Sequence, residues 1–152
     1  MTEKRVNKSN CIEGLDLYNN NNQITKINQL YLNEEFAGSQ EITKCIKQKL
    51  SSYRAQDTKK DRYDAKQFIT YEGTLEKLVI SKLKCSYCRS NLLLMYRDRR
   101  EKRQWTLDRI DNLLCHSNCN TVICCLECNL QKRCRNEEKF RFSKQLRLIK
   151  EK

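Results

Sequence analysis

The chain has 152 residues, 10 of them cysteine, and a formal net charge of +12 from 31 basic and 19 acidic side chains. Only 38% of the residues are apolar, proline is absent and glycine occurs three times, which excludes collagen-like, mucin-like and Gly/Ser-linker chains. Apolar runs such as Leu92–Tyr96 fall far short of the roughly 20 residues of a membrane helix, and the polar N-terminus carries no secretory h-region, so a soluble, intracellular protein with no membrane partner is expected.

Residues 1–22 read as a disordered lead-in that ends in the polar tract Asn19–Gln23. From Thr25 to about Tyr53, Ile27, Leu30 and Tyr31, then Ile42, Ile46 and Leu50, recur near helical spacing. They predict two helices around a turn near Gly38. The stretch Arg54–Tyr63 is polar and mixed in charge; it reads as a linker, a solvated face, or a basic face laid along a phosphate backbone. Thr70 followed by Glu72, Leu75, Leu78 and Val79 predicts an N-capped short helix. After the apolar segment Leu92–Met95, the run Arg97–Arg103 is expected as an exposed loop or helix end. The period then changes to two at Trp105, Leu107 and Ile110, a half-buried strand, and Thr121–Cys124 reads as a second. From Asn129 the pattern is helical, with Phe142, Leu146 and Ile149 marking a C-terminal helix.

The charge is uneven. Residues 84–152 hold 17 basic against 8 acidic side chains, a surplus whose natural partner is a polyphosphate such as nucleic acid. Eight of the ten cysteines fall between Cys85 and Cys134. Among them Cys85-Ser-Tyr-Cys88 and Cys125-Leu-Glu-Cys128 form two Cys-x-x-Cys knuckles. Each knuckle turns two thiolates toward one ion, and two together complete the closed tetrahedral shell of structural zinc. Such a staple suits a small core, because the binding free energy contributes to folding. Cys124 is an alternative to Cys125 as ligand, and the two-residue gap favours Cys125.

Between the knuckles stand Leu107-Asp-Arg-Ile-Asp-Asn112 and Cys115-His116-Ser-Asn-Cys-Asn120, followed by Cys125-Leu-Glu-Cys128-Asn129-Leu-Gln-Lys132. Here the sequence resembles the HNH endonucleases, specifically their zinc-stapled members, over roughly residues 68–150. The resemblance implies an α+β chain with a small ββα-metal, treble-clef-like core over residues 66–152, preceded by a basic, partly disordered and helical region over residues 1–65. It further implies divalent-metal-dependent hydrolysis of DNA phosphodiester bonds to 5′-phosphate and 3′-hydroxyl ends, in the manner of homing or mobile-element nucleases. In that reading Asp108 and Asn129 offer two hard oxygens to Mg²⁺ or Mn²⁺, as phosphoryl sites commonly do. Asn120 ties the loop between the strands. Arg99, Arg100, Lys102, Arg103, Arg109, Lys132, Arg133 and Arg135 grip the backbone.

Two positions depart from the family pattern. Arg109 stands where the best-known members carry a His general base, and a guanidinium cannot accept a proton near neutral pH. Cys115 stands where the family usually has Gly. His116 is the chain's only histidine and one option for the base; Asp111 and a metal-bound hydroxide are the others. The alternative functions are a non-catalytic zinc module that binds nucleic acid, and a redox protein using the vicinal Cys124–Cys125 pair.

Overall fold

The computed structural model describes residue 18 and residues 21–150, with side chains described up to residue 146. The expected lead-in therefore lies largely outside the described residues. Among them are five helices, α1 (Gln23–Tyr31), α2 (Ser39–Lys59), α3 (Tyr71–Ser81), α4 (Leu126–Lys132) and α5 (Glu137–Lys150), and one antiparallel pair, β1 (Trp105–Arg109) and β2 (Thr121–Cys125). The chain is α+β. No described helix is long and apolar enough to cross a membrane.

The helices start where local chemistry says they should. Gly38 takes φ 91° at the turn before α2, a conformation that costs glycine little. Thr70 caps α3, its hydroxyl accepting from the Gly73 amide at 3.0 Å. The structure extends α2 beyond the expected apolar stretch, through Lys59. Arg54–Lys59 is thus helix and not linker, with every residue but Asp57 exposed. Its residue Asp57 is fully buried, which no charge pattern along the chain reveals.

The core is a single cluster drawn from both ends of the chain. Ile27, Leu30, Ile42, Ile46 and Leu50 pack with Leu75, Leu78, Leu83, Leu92, Trp105, Leu107 and Ile123. The Gln23 side-chain amide bridges the segment after the first knuckle, donating to the Leu92 carbonyl at 2.7 Å and accepting from the Leu94 amide at 3.1 Å. The described helices that precede residue 65 therefore share one core with the segments that follow it.

β1 pairs with β2 in the register Trp105↔Cys125, Leu107↔Ile123, Arg109↔Thr121. The alternating burial expected for a half-exposed strand does not appear: Trp105 to Asp108 are all buried, and Ile110 lies beyond the strand and is exposed. Both faces are covered: Trp105 and Leu107 join the hydrophobic core, while Thr106 and Asp108 meet Asn129 and Lys132 of α4. Side chains of α2 also cover the free edge of β1. Tyr53 Oη accepts from the Leu107 amide at 3.1 Å, and Lys49 Nζ donates to the Trp105 carbonyl while its ammonium lies over the Trp105 and Tyr96 rings. An edge strand is thereby protected from pairing with another chain. In α5 it is Phe140 that enters the core, against Tyr87; Phe142 and Leu146 are exposed.

Candidate functional site

The two knuckles converge. The Sγ atoms of Cys85, Cys88, Cys125 and Cys128 all lie within 4.8 Å of one another, the spacing a tetrahedral ion needs. Cys125 is the member from the vicinal pair. Cys124, paired opposite Thr106 in the sheet, points to the other side, its Sγ 3.3 Å from Thr106 Oγ1. Burial pushes the Cys124 thiol up, which keeps it protonated and unreactive.

Backbone amides already face the sulfurs. Tyr87 and Cys88 donate to Cys85 Sγ at 3.4 and 3.5 Å, and Cys128 donates to Cys125 Sγ at 3.4 Å. Outside them, Ser90 Oγ lies 2.9 Å from Cys88 Sγ, and Arg103 reaches Ser90 at 2.7 Å and Glu127 at 3.6 Å. Hydrogen bonds from Cys125 and Cys128 pull the Cys85 thiol down, while the contacts among the four hold the Cys128 thiol up. Four adjacent sulfurs with donors in place fit a closed zinc shell.

Each knuckle also delivers one residue to a second, polar site on the β1–α4 seam. Tyr87, inside the first knuckle, donates its hydroxyl to Asp108 Oδ2 at 2.5 Å. Asn129, directly after the second, donates its Nδ2 to Thr106 Oγ1 at 3.1 Å and to the Leu107 carbonyl at 3.4 Å, bonds in which its Oδ1 takes no part. Lys132, one turn along α4, places Nζ 3.0 Å from Asp108 Oδ2 and donates to the Arg109 carbonyl at 3.0 Å. Lys132 is completely buried and Asp108 only 4% exposed. Lys132 thus faces inward as the counter-ion of Asp108 and is not presented to a phosphate backbone.

The loop between the strands forms the far wall. Asn120 closes it, donating to the carbonyls of Asp111 and Cys115 at 2.9 and 3.0 Å and accepting from the Asp111 amide at 2.8 Å. Cys115 is buried and is absent from the described positions with positive φ, so the turn does not need glycine there. His116 places Nδ1 2.9 Å from Asp57 Oδ1, stacks on Tyr53 at 4.6 Å, and is buried. Arg109 Nη1 stands 3.6 Å from the same Asp57 oxygen. Arg99, Arg100, Lys102, Arg133 and Arg135 are exposed. Asp57 and Tyr87 are the two site residues that the sequence reading omits.

No family model, curated protein or solved structure matches this chain.

Proposed function

We propose that the protein is a zinc-stapled, divalent-metal-dependent DNA endonuclease of the HNH type. The observation that carries this reading is the common seam of Asp108 and Asn129: β1 presents the carboxylate and α4 the amide, and the cysteine cluster fixes both through Tyr87 and Cys128. Asp108 and Asn129 would hold the cation in competition with the Lys132 ammonium. Bound there, it would polarise a phosphate oxygen and stabilise the departing 3′ oxygen.

The protein's own groups do the rest. Arg109, partly exposed beside this seam, supplies a positive charge to the scissile phosphate. Arg99, Arg100, Lys102, Arg133 and Arg135 hold the flanking backbone, a contact that is independent of sequence and weakens with salt. Neutralising five phosphates gives a log–log salt slope of about −4.5, and removing one arginine reduces it by about 1.

The test is nicking of supercoiled plasmid by zinc-replete protein in Mg²⁺ or Mn²⁺, beside Asp108→Ala. Loss of at least about 100-fold in the variant is expected, the scale of several kcal/mol of transition-state stabilisation, with zinc content and salt-sensitive DNA binding retained. One observation favours a second reading, a non-catalytic zinc module that binds nucleic acid: Lys132 already neutralises Asp108. Salt-sensitive binding by the wild type with no cleavage of duplex, branched or single-stranded DNA would select it.

A further inference from the structure

The nuclease reading leaves the proton acceptor unassigned. Arg109 cannot accept a proton. Asp111 is exposed, and its Oδ1 is engaged by the Leu113 amide at 2.9 Å. His116 is held by its backbone, by one face of its ring and by Nδ1. Its backbone amide donates to Asp57 Oδ2 at 2.8 Å, its carbonyl accepts from the Ile69 amide at 2.8 Å, and its ring lies against Tyr53 with an interplanar angle of 29°. Its Nδ1 meets both Asp57 oxygens, at 2.9 and 3.0 Å. A carboxylate can only accept, so Nδ1 carries the proton and the lone pair is confined to Nε2.

We propose that His116 is the general base of the reaction and that Asp57, from α2 and outside the zinc-stapled unit, is its positioning residue; the assignment rests on the nuclease reading above. In the step, a water oxygen bonds to phosphorus while its proton passes to Nε2. The bond from phosphorus to the 3′ oxygen breaks, and that oxygen takes a proton from solvent. The imidazolium then returns its own proton to water. Asp57 fixes the tautomer and stabilises the imidazolium as it forms, while Arg109 shares the same carboxylate.

The charged groups facing His116 oppose one another. Burial lowers its pKa from the ordinary value near 6.5, Asp57 on α2 raises it, Arg109 on β1 lowers it and Asp108 on β1 raises it. The net displacement is downward, so the lone pair is available at neutral pH. Cleavage should rise with pH through a single limb whose midpoint lies below 6.5.

The experiment uses the full, zinc-replete chain on supercoiled plasmid from pH 5 to 8, with the imidazole ¹⁵N resonances read in parallel. The chain's single histidine makes those resonances unambiguous. His116→Ala should cut about 100-fold more slowly and regain part of the rate with added imidazole. Asp57→Asn removes the raising carboxylate. It should slow cleavage, move the limb to lower pH, weaken the Nδ1–H preference and resist rescue by imidazole. Both variants are compared at equal zinc content, and should Asp57→Asn not fold, imidazole rescue of His116→Ala and the wild-type tautomer carry the test. Wild-type cleavage with His116→Ala equally active, or with Nε2 carrying the proton at pH 7, overturns this proposal alone. A wild type that cleaves nothing while keeping the Nδ1–H bond to Asp57 overturns the nuclease reading, and the base assignment with it.

Discussion

The cysteine cluster and the polar site are neighbours built in opposite ways. All four sulfurs come from two four-residue spans, Cys85–Cys88 and Cys125–Cys128, whose internal spacing sets each pair before any tertiary contact forms. The polar site has no such local logic. Asp108, Lys132, Tyr87, Asn129, His116 and Asp57 come from α2, β1, α4 and the connections between elements, and Asp57 lies 59 residues from the histidine it holds. The first is a local device and the second a product of the whole fold, joined where each knuckle passes one residue to the site.

That dependence runs one way, and removing the metal tests it. A structural zinc contributes about 10–16 kcal/mol of apparent binding free energy in small domains at pH 7, more than a chain of this size has to spare. Chelation, or Cys128→Ser, should therefore abolish the cooperative thermal transition and any DNA cleavage together. Asp108→Ala should leave zinc stoichiometry at one per chain. Metal analysis beside a melting curve checks both.

The next largest effect is expected inside the polar site. Lys132 and Asp108 form a buried pair at 3.0 Å, and removing one member strands the other. Lys132→Met should cost about 3–5 kcal/mol, read from denaturant unfolding at fixed zinc. If Asp108 binds a divalent cation, millimolar Mg²⁺ should restore part of that stability in the variant and little in the wild type.

The same contrast decides what is legible in the sequence alone. The knuckles, the Thr70 cap, the turn at Gly38 and both strands were legible because each rests on residues within a few positions of one another. Lys132 was not. Its place one turn beyond Asn129 on a basic helix reads as a solvated phosphate contact, and only the packing of α4 on β1 turns it inward. Asp57 was hidden by its neighbours, since Arg54, Lys59 and Lys60 make the segment look like solvent-facing surface. The strand β1 kept its position and lost its alternation because α4 sets Asn129 and Lys132 against Thr106 and Asp108, a cover over the second face that no local pattern predicts.

Cys124 gives a smaller, sharper probe of the comparison, being adjacent to a cluster residue yet facing the other way. Cys124→Ala should leave zinc bound and cost about 1–2 kcal/mol from the lost sulfur contacts of a fully buried side chain. Cys125→Ala should release the metal. A titration of bound zinc against a chromogenic chelator separates them, and loss of zinc from the Cys124 variant would reverse the ligand assignment.

The smallest predicted effect isolates the most non-local contact of the polar site. His116 has its pKa lowered in the folded chain, chiefly by burial, so the unfolded state binds the proton more readily. Stability should therefore be complete above about pH 6.5, the unfolded value, and decline as the pH falls toward and through the folded value. Protonation of the cysteine cluster also destabilises the protein in acid, so the wild-type curve alone does not isolate the histidine. His116→Gln removes one group and leaves the cluster untouched, and the difference between the two curves from pH 7 to 5.5 is the contribution of His116. A rising difference as pH falls, favouring the variant, means that burial outweighs the Asp57 carboxylate. A difference of the opposite sign means that Asp57 holds the imidazolium in the folded protein, and the pH limb of cleavage must then lie above 6.5.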